Sequence, residues 1–317
     1  MDPADVKYFL ITVDAEDWFQ VENFKSLISF DTWDRRELRV ERNVHRLLDL
    51  FDAIKLPPEP AGSSRAGDPR STRATFFVLC WIAERLPGLV REIEARGHEV
   101  ASHGCYHELP RQMPRAKLMA ELGASRRRLE DTIGKAVVGY RAPSFAIDDG
   151  ILAAIAAAGY RYDSSYNSFS LHGRYGKISL NGGSRKGIAH RVADDFCELP
   201  ISNLNVFGHV LPLGGGAYFR LLPFHLFKLG VKRILSTAGA YVFYIHPWEI
   251  DPGQPRVTKA SWSHKLRHYA MVSKTYRRLD HMINSFEYCR FTTCSQYLAA
   301  QGMRLTATGP ALPQAPR

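Results

Sequence analysis

Two histidines stand four residues apart in Ser102-His103-Gly104-Cys105-Tyr106-His107, and three carboxylates crowd the end of an apolar run in Thr12-Val13-Asp14-Ala15-Glu16-Asp17. Two imidazoles and one carboxylate form a ligand set for a catalytic divalent metal, with positions left open for water and substrate. A further carboxylate beside such a site could serve as a base. A lone pair of histidines at this spacing would mean little in a chain that holds twelve. The acidic strand end supplies what the pair lacks.

The elements that must position these residues follow from hydrophobic periodicity. Strands are predicted over residues 8–13, 74–79, 99–102, 137–140, 160–162, 241–245 and 289–293. Helices are predicted over 43–54, 82–96, 116–133, 149–158 and 263–285. This alternation implies parallel strands with helices outside them. Asp14, His103 and Arg141 each fall just past a predicted strand, where active residues gather in such folds. Residues 57–72 read as an exposed loop, and 164–200 give no clear period. Gly214-Gly215-Gly216 permits either a simple turn or a close approach to substrate. The Pro- and Ala-rich end, 306–317, reads as a frayed tail.

The 317 residues are 45% hydrophobic, enough for a sizeable core. No run approaches the roughly 20 apolar residues of a membrane span, and the first residues lack the basic and apolar regions of a signal peptide. Five cysteines without a C-x-x-C pair argue for a reducing compartment. A cytoplasmic protein is expected. The net charge of +10 comes with no nucleic-acid-binding signature, so no nucleic-acid partner is expected.

The motifs Thr-Val-Asp-Ala-Glu-Asp, Ala-Thr-Phe-Phe-Val, Glu-Val-Ala-Ser-His-Gly-Cys-Tyr-His, Tyr-Arg-Ala-Pro-Ser-Phe, Tyr-Asp-Ser-Ser and Tyr-Ile-His-Pro-Trp-Glu occur in this order between about residues 8 and 295. Together they resemble the polysaccharide deacetylases, carbohydrate esterase family four or the NodB-homology group. The Gly-Gly-Gly-Ala-Tyr-Phe-Arg-Leu-Leu-Pro stretch resembles a subgroup that accompanies exopolysaccharide gene sets. The resemblance implies an α/β fold, a distorted (β/α) barrel of about seven parallel strands. Residues 1–305 would form that barrel, including a C-terminal extension from about 251, and 306–317 a flexible tail. It also implies metal-dependent removal of N-acetyl groups from amino sugars, with zinc favoured by two imidazole ligands.

By the same resemblance His103 and His107 are metal ligands, Asp14 the general base, and His246 the general acid that protonates the leaving amine. Arg141 would hold the base ionised, and Asp163 would tune the acid histidine. Pro143, Tyr218 and Trp248 are candidates for substrate contact; Tyr218, Trp248 and Phe145 could also be core rings. The first motif departs from the usual adjacent aspartates. Alternate residues of a strand share a face, so Asp14 and Glu16 could enter one site, and Asp17 could do so only if the chain turned at once. Glu16 is favoured as the carboxylate ligand, Asp17 is the alternative, and the loser would cap a loop. Cys105 could be a stray thiol ligand or a packing residue.

A small-amide hydrolase and an inactive carbohydrate-binding relative are the competing classes. The expected partner is an N-acetylated saccharide, lipid-linked at the inner membrane face. A basic helix from Lys265 to Arg278, with Arg267, His268, Lys274 and Arg277, is the candidate contact with an anionic membrane.

Overall fold

The computed structural model describes residues 6–56, 71–169, 175–180, 184–303 and 305. The 57–72 loop, apart from its last two residues, and the 306–317 tail lie outside them. In chain order the elements are β1 (Tyr8–Ala15), α1 (Val40–Ala53), β2 (Ala74–Val78), α2 (Cys80–Arg85), α3 (Pro87–Ala95), β3 (Glu99–Ser102), α4 (Arg115–Ile133), β4 (Gly139–Tyr140), α5 (Asp149–Ala157) and β5 (Tyr162–Asp163). Then come β6 (Arg185–Lys186), β7 (Ala189–Ala193), β8 (Phe196–Glu198), β9 (Leu204–Val206), β10 (His209–Leu211), α6 (Gly216–Leu221), α7 (Phe224–Ala238) and β11 (Ala240–Ile245). The last are α8 (Trp262–Tyr269), α9 (Val272–Ser285), β12 (Arg290–Phe291) and α10 (Cys294–Ala300).

Among the described residues, β11, β1, β2, β3, β4, β5 and β8 run parallel in that order and β12 pairs parallel with β1, eight strands where about seven are expected, with β8 the one not predicted. Tyr-Phe-Leu-Ile-Thr-Val-Asp-Ala of β1 is buried from Phe9 onward. Both of its faces are covered, so a nearly continuous apolar run is stable there as a strand. The sheet closes irregularly. Where β8 and β11 would meet, Ser202 N–H donates to the Val242 carbonyl at 3.3 Å and Tyr244 N–H to the Gly214 carbonyl at 2.7 Å. Glycine is required there, because a side-chain carbon on Gly214 would collide with Ile201 and the Ser202 backbone.

Helices cover the sheet through apolar stripes. In α1, Val40, Val44, Leu47, Leu48 and Phe51 repeat at helical spacing and are all buried. Two long helices expected from the sequence are divided. Residues 82–96 break at Leu86-Pro87, because Pro87 opens α3 as its first residue and removes the N–H that a continuous helix would use. Residues 263–285 break at Ala270-Met271, where Met271 has φ 59°. That break changes the reading of the basic segment. His268 is buried, Arg267 lines the cleft described below, and Arg278 packs beside the Phe219 and Phe224 rings and donates to the Leu222 carbonyl. Lys274 and Arg277 stay exposed, so the run is not one basic face. Within 164–200, the stretch without a clear period, β6, β7 and β8 form an antiparallel ribbon at the sheet edge, and beyond it β9 and β10 form a separate hairpin.

Candidate active site

The carboxyl ends of β1, β3 and β11 open into one cleft, where ligands collect in parallel α/β sheets. Asp14 and Glu16 share a face as strand alternation requires, and both line it. The Glu16 N–H folds back to the Asp14 carbonyl at 2.9 Å, which aims the carboxylate inward. His103 follows β3 directly, and its Nδ1 lies 2.8 Å from the Arg141 carbonyl. A carbonyl only accepts, so Nδ1 carries the proton and Nε2 keeps its lone pair. Gly104 at φ 76° and His107 at φ 52° give the tight turn that brings the second imidazole back. Nε2 of His107 lies 2.8 Å from Oε2 of Glu16, an oxygen that makes no hydrogen bond of normal geometry. One donor atom from each of Glu16, His103 and His107 lies within 4.8 Å of the others, and all three residues are buried. Two nitrogens and an unspent carboxylate oxygen converging in a buried corner fit a divalent ion.

Arg141 is fully buried and organises the base side. Its Nη1 donates to Asp14 Oδ1 at 2.6 Å and to Thr12 Oγ1 at 2.8 Å. Nε donates to the Ser164 carbonyl and Nη2 to Ser164 Oγ, each at 2.9 Å. The guanidinium carbon sits 4.0 Å from the centre of the Phe77 ring. Every donor group is held, so Asp14 faces a fixed positive charge.

His246 follows β11 and faces the same cleft. Its Nδ1 donates to Glu249 Oε1 at 2.8 Å, and its Nε2 stands 3.2 Å from Glu16 Oε1 and 3.9 Å from Asp14 Oδ2. Burial alone would lower this imidazole; Glu16, Glu249 and Asp14 outweigh that and raise it to about 9. Glu249 is itself held at about 2, because Arg220 and His246 overcome the upward push of burial. Burial also pushes Glu16 up, and His107 and His246 bring it down to about 2. His103 is lowered to about 4, chiefly by burial. That suits a ring kept neutral as a ligand.

Two expectations are corrected, and Cys105 takes its packing alternative. Asp17 is not a fourth donor: its Oδ1 accepts from Trp18 N–H at 2.7 Å and its Oδ2 from Arg39 and Val40 N–H at 2.6 and 2.8 Å. These are free amides at the start of α1, which a carboxylate caps well. Asp163 does not reach His246. It binds Ser165 N–H and Oγ and pairs with Glu198, and burial pushes both carboxyls up. The partner of His246 is Glu249. Cys105 is buried against Cys80, outside the ligand cluster.

Of the candidate contacts, Trp248 lines the cleft, stacked between His246 at 5.1 Å and His268 at 4.0 Å. Pro143 is buried, and its neighbours Ser144 and Phe145 line the cleft instead. Tyr218 packs edge-on against Phe169 at 5.7 Å, outside the lining. Glu249 and Arg220 had no assigned part, and His268 was assigned only to the basic helix. A glutamate three residues after a strand-end histidine, with Pro247 between them, marks the third position of a helical turn and was the available signal for Glu249.

A polysaccharide deacetylase family model matches residues 69–162, which hold His103, His107 and Arg141, and a domain of unknown function (DUF3473) matches residues 164–298, which hold His246 and Glu249. A peptidoglycan deacetylase of Helicobacter pylori is 25% identical over 245 residues, 74% of this chain and 70% of the relative. A crystal structure of a candidate polysaccharide deacetylase from Mycobacterium smegmatis has a TM-score of 0.58 at 20% identity, over 99% of this chain and 96% of that one. The Puue allantoinase has a TM-score of 0.55 at 14% identity, over 96% of this chain and 91% of that one. The ordered motifs and the matched segment make this chain similar to the polysaccharide deacetylase family over residues 69–162.

Proposed function

We propose that the protein is a metal-dependent N-deacetylase of amino sugars, acting on a polysaccharide or its precursor in exopolysaccharide formation. The observation that carries the proposal is the convergence of Glu16, His103 and His107 between a carboxylate locked on arginine and an imidazole locked on glutamate. In this reading Glu16, His103 and His107 hold the ion, most simply zinc. Such an ion supplies the pull on the amide carbonyl and the acidity that an attacking water needs. Asp14, held by Arg141 at 2.6 Å, takes the water proton. His246, whose imidazole Glu249 and Asp14 help raise above its ordinary value, gives its Nε2 proton to the departing amine, while Glu249 holds the opposite ring nitrogen. Arg141 and Glu249 act through Asp14 and His246, and Trp248 offers a ring to the sugar.

The same reading treats the chain to about residue 305 as one unit, because β8 and β11 belong to the sheet begun by β1. A cytoplasmic site of action on a lipid-linked saccharide fits five buried free cysteines and the exposed Lys274 and Arg277. Among the described residues no helix is long and apolar enough to cross a membrane. The test is acetate release from N-acetylglucosamine oligomers by the protein as purified, after chelation, and after zinc is restored. Activity that appears, vanishes and returns supports the reading. Full activity in metal-stripped protein overturns it.

A further inference from the structure

The basic residues that follow Met271 have an arrangement of their own, apart from the cleft. In α9, Lys274, Arg277, Arg278 and His281 stand at i, i+3, i+4 and i+7, which puts all four on one face of the helix. That face forms one wall of a recess of about 760 Å³, and the corner between α6 and α7 forms another with Arg220 and Phe224. The volume lies within the roughly 300–1,000 Å³ usual for small-ligand sites. None of the lining residues is acidic.

Like charges one turn apart on a helix cost about 0.2–0.5 kcal/mol per pair. Among the described residues no carboxylate pairs with Lys274, Arg277 or Arg278 to offset that cost. The one acid within α9, Asp280, is outside the lining and accepts from Asn284 Nδ2 at 2.9 Å. Arg278 is only half held. It lies over the Phe219 ring at 5.0 Å and the Phe224 ring at 5.4 Å and donates to the Leu222 carbonyl, yet its buried Nε has no hydrogen-bond partner. Arg220 is already committed to Glu249 and three carbonyls, so the open donors are those of α9. The helix adds to the same field. It begins at this recess, after Met271, without a side-chain cap on its first amides, and its positive pole is uncompensated.

We propose that this recess is a binding site for a phosphate or diphosphate group. Arginine and lysine side chains and a helix N-terminus are the groups that hold phosphate oxygens. Three formal positive charges and a helix pole call for more than one negative charge; a carboxylate brings one, a phosphate ester about 1.5–2. A divalent cation would be repelled, and a neutral sugar or a hydrocarbon would leave the charges uncompensated. Arg220 lines both this recess and the cleft, so the anion site adjoins the acid side of the catalytic groups. Its existence does not depend on the reaction carried out in the cleft.

The experiment titrates the full chain as purified with sodium diphosphate by calorimetry, with sodium acetate at equal ionic strength as the comparison. Diphosphate is expected to bind at least ten-fold tighter than acetate, and to weaken as salt is raised from about 0.1 M to about 1 M. Lys274→Gln and Arg277→Gln, both at exposed positions and checked for an unchanged melting temperature, should each weaken diphosphate about ten-fold, or about 1.4 kcal/mol. Arg277→Glu should abolish its binding. Diphosphate held by an ion in the cleft would bind these variants like the parent, so parental affinity in all three overturns the proposal, as does acetate binding as tightly as diphosphate. Two further arms identify the carrier of the group, uridine diphosphate in solution and phosphatidylcholine vesicles containing farnesyl diphosphate. Preference for the vesicles assigns a lipid headgroup and preference for the nucleotide a soluble ester, each provided that Arg277→Glu removes the binding. Binding of both carriers that survives Arg277→Glu overturns the site.

Discussion

Nδ1 of His246 donates to Oε1 of Glu249 at 2.8 Å, and the second oxygen of that carboxylate receives Nε–H of Arg220 at 2.7 Å. Arg220 in turn spends its remaining donors on the carbonyls of Arg267, His268 and Ala270. The acid imidazole is thus tied through one carboxylate to a buried cation anchored on the α8 region. The deacetylase reading needs His246 protonated before it meets the amine, and this chain of contacts keeps it so.

Glu249→Gln therefore tests the proton donor. In the metal-free chain Glu16, Glu249 and Asp14 raise the His246 ring above the ordinary imidazole value, so the acid form is present below the raised value and is lost as pH rises through it. With Glu16 engaged by a cation, Glu249 becomes the main charge that holds the proton. The neutral amide should move the alkaline limb of the pH–rate profile to lower pH, with on the order of 10²-fold loss at pH 8. Stability should fall as well, toward the low end of the about 3–5 kcal/mol seen when one partner of a buried pair is removed, because Arg220 keeps three carbonyl acceptors. A pH profile identical to the parent's would remove Glu249 from this role.

The neighbouring carboxylates Glu16 and Asp17 should separate cleanly. Glu16→Ala is expected to lose bound metal and activity, with little change in the stability of the metal-free chain. Asp17→Ala should keep the metal and lower the melting temperature, since hydrogen bonds to a charged group contribute about 1.5–3 kcal/mol. Metal content by elemental analysis together with a thermal melt decides between them. Metal lost from the Asp17 variant alone would reverse the assignment.

Asp14→Asn and Arg141→Met probe the base from two sides. The first should retain metal and lose on the order of 10²-fold or more in rate, as for a missing general base. Arg141→Met leaves Asp14 buried without its cation, so its rate loss should come with a stability loss of about 3–5 kcal/mol. An Asp14→Asn enzyme with near-parental kcat would assign the base elsewhere.

Much of this arrangement was legible before the fold was in view. Alternation along β1 placed Asp14 and Glu16 on one face, and the glycine turn after β3 brought His103 and His107 together. Long buried strands and amphipathic helices carry their period openly. The misses have physical causes. Strands β6 to β10 are two to five residues long, and all but the buried β8 are partly or fully exposed, too short for alternation to register. Asp163 was given to His246 because its motif matched, but the chain in hand turns that carboxylate toward Ser165 and Glu198. Glu249 was hidden as the third residue of a short helical turn, where its first reading is a local cap.

Gly216 supplies the sharpest test of the acid side, because it touches no substrate and carries no side chain. A β-carbon built there would overlap both carboxylate oxygens of Glu249. Backbone angles are not the obstacle: Gly216 opens α6 and is not among the residues with positive φ. Alanine at this position must push Glu249 away from His246 or Arg220, so Gly216→Ala should reproduce the lowered alkaline limb of Glu249→Gln while leaving metal content intact. Gly88, which has open space around its Cα within α3, is the control. Gly88→Ala should be neutral or stabilising by about 0.5–1 kcal/mol, the usual gain from replacing glycine inside a helix. The pH–rate profiles of both variants decide the matter: a parental profile in Gly216→Ala would mean that the His246–Glu249 contact does not set the acid.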